Sequence, residues 1–170
     1  MFEVLVFVYE NYWRGDACPQ LDQLQRKLSA VGFEAEEIQD ALAWLGGLSL
    51  ATRNTQVTAP PKYTASNAGA QLLPAAVDQS GASMRVYSID EQNRLGPACL
   101  GFINFLEGSG VLPSHMREVV VDRAMASGSD CLELDDLKII VLMVYWSYGE
   151  EPDALILDEL CDDGTARVGH

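Results

Sequence analysis

The chain has 170 residues, of which 48% are apolar, and its formal net charge is −14. This length suits one domain, or two small ones that share a core, and the acidity repels phosphate backbones. Direct nucleic-acid binding is therefore disfavoured, whereas a basic protein partner is favoured.

The sequence indicates neither a membrane segment nor a cofactor site. The apolar N-terminus, residues 1–9, contains Glu3 and lacks the basic region and cleavage site of a signal peptide, so we expect it to be core. The last helix has an apolar run of eight residues, and a membrane span needs roughly 18. The cysteines at 18, 99, 131 and 161 lie far apart, without a histidine at ligand spacing. We therefore expect a cytoplasmic protein with reduced thiols, no metal and no cofactor.

The first 51 residues predict an N-terminal unit of three helices. Apolar residues at helical spacing give a first helix at about 2–13, although the valines at 4, 6 and 8 leave a strand as an alternative. Regularly spaced leucines predict a second helix over 21–31, which Gly32 ends. Acidic residues at 34, 36 and 37 open a third helix, which is predicted to end at Gly46 and Gly47.

The second and third helices, joined at Gly32 and Phe33, resemble a helix-turn-helix pair. In a DNA-binding pair the third helix would need basic and amide side chains near phosphates and base edges. Its polar face instead consists of Glu34, Glu36, Glu37, Gln39 and Asp40. We therefore interpret the unit as a helix-turn-helix-like pair packed into a bundle.

Residues 52–82 predict a flexible linker. Ala, Pro, Thr and Ser are common in this segment, and only Arg53, Lys62 and Asp78 are charged. The segment is also longer than most loops of compact domains. It separates the N-terminal unit from a second unit over residues 83–149.

The second unit is predicted to be a helical bundle with a minor two-stranded β pairing. Residues 84–87 alternate like a short strand, and Ser88 with Glu91 has the spacing of a capping box that opens a fourth helix. Gly96 and Pro97 should kink this helix, which reaches about 107. A fifth helix covers about 114–127, and residues 131–134 form the second strand.

The sixth helix, at 134–146, is the most apolar segment of the chain. Asp135 is its predicted N-cap, and Leu134 and Ile139 have the positions of a hydrophobic staple. After Lys138 its apolar side chains surround the whole helix, so we expect it to be central and buried. Residues 150–170 form an acidic tail with a candidate short helix at 153–161. The fold class is all-α.

No residue pattern indicates a catalytic or metal site. Asp135 and Asp136 at a helix start are typical caps and dipole partners. His115 and His170 have no accompanying nucleophile or second ligand. We therefore predict that the protein is not an enzyme.

The candidate partner-binding residues are Arg85, Tyr87, Arg117 and Lys138. If the strands and helices bring them together, they form a patch that can bind an acidic partner or a phosphate. In the alternative interpretation each cation pairs with a neighbouring carboxylate. Lys138 is the one charge on the sixth helix after the two aspartates at its start, and its exposure beside Arg85 would give the patch a location.

Segments along nearly the whole chain resemble the bacterial Smg family. They begin with Met-Phe-Glu-Val-Leu-Val-Phe-Val-Tyr-Glu-Asn-Tyr at 1–12 and continue at 32–45, 84–87, 99–107, 117–124 and 134–143. The resemblance implies a cytoplasmic protein without an established activity, encoded near genes for DNA processing and translation. It assigns no functional residues. The helix at 32–45 is also similar to the helical triplets of the RecX recombinase regulators.

These observations lead to two hypotheses about function. The first is a non-catalytic regulatory or adaptor protein that acts by protein-protein contact. The alternative is a nucleic-acid-associated factor linked to DNA processing or translation, which would use the region of Arg85, Arg117 and Lys138.

Overall fold

A computed structural model of the protein describes residues 1–12, 21–58, 85–128 and 131–150. Its elements are all helical: α1 (Phe2–Tyr12), α2 (Leu21–Val31), α3 (Ala35–Thr58), α4 (Ile89–Gly108), α5 (Ser114–Met125) and α6 (Leu134–Tyr148). The all-α prediction is confirmed, and the strand alternative for the first segment is wrong. Within the described ranges, no helix combines the length and the apolar character needed to cross a membrane.

Helix α6 lies at the centre of the molecule. It contacts α1, α3, α4 and α5, and its buried side chains include Leu137, Ile140, Val141, Met143 and Val144. The prediction of a buried helix that is apolar on all sides is confirmed. Because α1 and α3 share this core with α4 and α5, helices on both sides of the predicted linker pack on one central helix.

Helix α3 does not end at Gly46 and Gly47, so that prediction is wrong. The helix continues to Thr58, so Gly47 lies inside the helix and does not end it. A Cβ atom at position 47 would lie 3.0 Å from Cζ of Arg123 on α5, and closer still to Nη1. The glycine therefore makes room for an arginine on a neighbouring helix. Residues 52–58 of the predicted linker are helical; positions 59–82 lie outside the described residues, and the division into units stays a prediction.

The start of α4 and its kink agree with the sequence. Ser88 and Glu91 form the predicted capping box: the Glu91 amide donates to Ser88 Oγ (3.2 Å), and the Ser88 amide donates to Glu91 Oε2 (2.7 Å). The helix breaks at Gly96, where φ is 65° and ψ is 173°. Pro97 disfavours a helical conformation at the residue before it, and glycine adopts the positive φ at little cost.

The predicted strand pairing between 84–87 and 131–134 is not found. In the described part of both segments no strand forms, and the amide of Leu132 donates to the carbonyl of Arg94 on α4 (2.9 Å). Met84 lies outside the described residues. The side chains of the first segment are instead engaged by α4 and α5, as detailed below.

The start of α6 differs from the prediction by two residues. Its N-cap is Glu133 rather than Asp135, and no side chain makes a capping hydrogen bond. Leu132 and Leu137 then occupy the two staple positions, and both are buried. Asp135 instead lies one turn before Lys138. The candidate helix at 153–161 and the acidic tail lie outside the described residues.

Candidate partner-binding site

Arg85, Tyr87 and Arg117 come together at the start of α4. The guanidinium of Arg85 lies over the ring of Tyr87, with its Cζ 4.5 Å from the ring centroid. Glu118 joins the two arginines, because its Oε1 accepts from Arg85 Nε (2.9 Å) and from Arg117 Nη2 (2.8 Å). Three of the four candidate residues therefore lie together, and both arginines pair with carboxylates, as in the alternative interpretation.

Lys138 has a different environment from the other predicted residues. It is buried on α6, and its Nζ lies 3.9 Å from a carboxylate oxygen of Asp135, three residues earlier. The condition that would have given the patch a location, exposure of Lys138 beside Arg85, is therefore not met. Its aliphatic stem belongs to the buried surface of the helix, as long cationic side chains often do.

An alternating chain of charges connects both ends of α4 to α5; we call it the ion-pair cluster, and it consists of Glu91, Arg85, Glu118, Arg117 and Glu107. At one end Arg85 Nη2 donates to Glu91 Oε1 (2.9 Å) in the first turn of α4. At the other end Arg117 Nη1 donates to Glu107 in the last turn. The kink at Gly96 lies between these two turns.

The pairing shifts the pKa values of several members of the ion-pair cluster toward the charged form. The hydrogen bond from Arg85 lowers the pKa of Glu91 from 4.5 to about 2. Burial raises the pKa of Glu118, but hydrogen bonds from both arginines outweigh it, and the net shift is downward. The pKa of Arg117 is raised, chiefly by its hydrogen bond with Glu107. Two guanidinium groups thus face three carboxylates, which leaves little positive charge for a phosphate.

Tyr87 packs against Arg85 of the ion-pair cluster. Its ring is the platform for Arg85, and its hydroxyl is buried without a hydrogen-bond partner among the described residues. Burial raises the pKa of the phenol, so the group stays neutral. Tyr87 therefore positions Arg85 and does not itself carry charge to a partner.

The sequence prediction missed the two most exposed large apolar side chains of the described residues. Val86 is 89% exposed and Ile89 is 75% exposed; we call the segment that carries them the 85–91 corner. Successive side chains of an extended segment point in opposite directions. Because Arg85 and Tyr87 face the protein, Val86 faces solvent. The alternation at 84–87 contained this signal, but it was interpreted as strand pairing.

The other ionisable groups of the described residues give little support for a catalytic or metal site. No group of three or more His, Cys, Asp or Glu side chains suited to a metal ion occurs in the part of the chain that the structure describes. The ring of His115 packs edge-on against Tyr148, with 5.5 Å between centroids. Burial raises the pKa of Asp136, but the residue belongs to the first turn of α6. The absence of enzymatic activity stays a prediction.

Comparison with known proteins identifies relatives along the full chain. The profile of the family described as "Protein of unknown function (DUF494)" matches residues 1–170. Proteins named "Protein Smg homolog" are 57% identical in Leptothrix cholodnii and 55% identical in Methylibium petroleiphilum, and a third in Herminiimonas arsenicoxydans is 44% identical; each match covers 100% of both chains. No solved structure matches. The resemblance to the Smg family is confirmed: the chain belongs to this family, whose function is unknown.

Proposed function

We propose that the protein acts without chemistry of its own, by binding another protein through the 85–91 corner. The observation that supports this proposal is the exposure of Val86 and Ile89 on a segment that polar contacts hold in place. Isolated exposed apolar residues are common on protein surfaces. These two lie three residues apart in one segment, which also contains the capping box and two members of the ion-pair cluster.

A fixed corner is a favourable place for a partner to bind. Burying a valine or isoleucine side chain contributes about 1.5–3 kcal/mol, and a surface that is already ordered loses little conformational entropy on binding. Charged residues that surround apolar anchors also exclude water from the contact. In the 85–91 corner, Asp90 and Glu91 are charged neighbours of Ile89 in sequence.

The charge of the protein favours a basic partner. The net charge is −14, Asp90 is exposed within the corner, and the side chain of Glu118 is 48% exposed beside it. Complementary charges accelerate association and select between partners. We place this role in the cytoplasm; the free thiols of Cys99 and Cys131 are consistent with a reducing compartment.

The alternative role, a nucleic-acid-associated factor, receives less support. Arg85 and Arg117 are engaged by carboxylates, and Lys138 is buried. Phosphate binding depends on cations that can replace counterions along the backbone. We expect gel-shift titrations with duplex DNA, single strands and tRNA at low salt to show no complex.

A comparison of exposed apolar positions tests the proposed function. The tagged protein should recover a basic protein from cell extract, and the double variant Val86→Asp, Ile89→Asp should lose it. Leu50→Asp is the matched control, because Leu50 is 63% exposed on α3, away from the corner. Equal recovery by all three proteins, or no recovery above background at low and moderate salt, would contradict the proposal.

A further inference from the structure

The second half of α4 exposes a face without ionisable side chains. An exposed aromatic residue, Phe105, stands on it and is 55% exposed. The exposed positions of this half-helix are Pro97, Ala98, Gly101, Asn104, Phe105 and Gly108. They recur at helical spacing and therefore share one side, while Cys99, Ile103 and Leu106 on the other side are buried. Glu107, the one charged residue of 97–108, is engaged by Arg117.

Gly101 has no explanation within the described fold. It lies inside a helix with ordinary helical geometry, and an added Cβ would meet no atom within 4 Å. A glycine in a helix interior is less favourable than almost any other residue. Gly47 compensates for this cost by accommodating Arg123, whereas at Gly101 the space opens to solvent. The missing side chain of Gly101 leaves a gap in this face, which we call the notch. The notch and the ring of Phe105 lie one helical turn apart on the same face.

We propose that this face binds a second copy of the chain, with two α4 helices packed antiparallel across a two-fold axis. If the axis passes between Gly101 and Phe105, the ring of each copy fills the notch of the other. Such a contact is self-complementary, as a two-fold interface requires. A glycine at the crossing lets the helix backbones approach closely.

The charge distribution explains why the second copy would use this face. Each copy carries a net charge of −14, so two copies repel one another over most orientations. The uncharged face of α4 is a place where they can meet without desolvating a carboxylate. The repulsion of the remaining charges is screened by salt, so the dimer should become stronger as salt increases. A contact between two half-helices is small, so we expect the dimer to be weak.

Sedimentation equilibrium of the full chain tests this proposal. Over concentrations from about 1 to about 500 µM, the protein should pass from monomer to dimer, with the transition at lower concentration in high salt. Phe105→Asp places a carboxylate at the crossing and should raise the dissociation constant at least tenfold. Leu50→Asp, at an exposed position on α3, is the matched control and should dimerise as the parent does.

Gly101→Gln separates association from folding. Glutamine is a better helix former than glycine, and the space around position 101 is open, so this variant should melt at a higher temperature while dimerising more weakly. A monomer at all concentrations and salts would overturn the proposal. A dimer that Phe105→Asp and Gly101→Gln leave intact would overturn it as well. Phe105→Asp should still recover the partner that binds the 85–91 corner, so the two proposals can fail separately.

Discussion

The two ends of α5 hold their arginines in different ways. Near its start, Arg117 belongs to the ion-pair cluster and binds Glu107 and Glu118. Near its end, Arg123 lies against Gly47 of α3, and its carbonyl accepts from the indole N–H of Trp44 (3.0 Å). The second contact joins two core helices, α3 and α5. The contact of Arg117 belongs to the ion-pair cluster that fixes the 85–91 corner, whose apolar side chains face outward. The Arg123 contact is therefore structural, whereas the Arg117 contact supports a candidate binding surface.

The largest expected effect concerns the two arginines themselves. Arg117→Met should lower the free energy of unfolding by about 2 kcal/mol, because a nearly buried cation is removed from between carboxylates that are then left without compensation. Arg123→Met should cost about 1 kcal/mol or less, since its ion-pair partner Asp122 is largely exposed. Urea unfolding at neutral pH measures both. Equal losses would mean that the two ends of α5 are held with similar strength.

The ion-pair cluster should also make stability depend on pH. The pKa of Glu91 is lower in the folded chain than its ordinary value, so its contribution is complete above the unfolded pKa and is lost as pH falls toward the folded one. Between about pH 5 and about pH 3 the parent should lose about 1–2 kcal/mol more than Glu91→Gln does.

Glutamine at position 91 can still accept from the Ser88 amide and keep the capping box, so Glu91→Gln removes the charge without removing the cap. Urea unfolding at several pH values gives the two slopes. Parallel slopes would show that the pairing of Glu91 with Arg85 contributes nothing to the fold.

Two neighbouring glycines of α3, Gly46 and Gly47, test the contact between α3 and Arg123. Gly46→Ala should stabilise the protein by up to about 1 kcal/mol, because no atom lies within 4 Å of the new methyl group. Gly47→Ala should be about 1 kcal/mol less favourable, since it must displace the Arg123 guanidinium. In an Arg123→Ala background the two substitutions should become equally stabilising. A difference that persists in this background would disprove the explanation of Gly47.

Local features of the fold could be predicted from the sequence, but features that depend on distant residues could not. The capping box at Ser88, the kink at Pro97 and the burial of α6 follow from residues within one or two turns. The continuation of α3 through Gly47 depends on Arg123, which is far away in the chain. A lone sequence gives no signal for such a contact.

The candidate site shows the same limit. The sequence left open whether Arg85, Tyr87 and Arg117 meet or pair with carboxylates, because the carboxylates that neutralise the arginines include Glu107 and Glu118, which depend on how α4 and α5 pack. The strand pairing was wrong because Arg85 makes its contacts with α4 and α5. Because the side chain of Arg85 faces α4 and α5, the side chain of Val86 faces solvent.

The smallest expected effect on stability belongs to the corner. The double variant Val86→Asp, Ile89→Asp should change the free energy of unfolding by no more than about 0.5 kcal/mol, because both side chains are largely exposed. Thermal or urea unfolding checks this value. A larger loss would mean that the two residues support the fold, and the contrast between the two ends of α5 would then disappear.

A photo-crosslinking residue placed at position 86 in living cells tests the central claim most directly. The account predicts one discrete adduct with a basic protein from position 86, and no such adduct from position 50, which is also exposed but lies on α3. An adduct that forms equally from both positions, or none above background from position 86, would contradict the assignment of the 85–91 corner as a protein-binding surface.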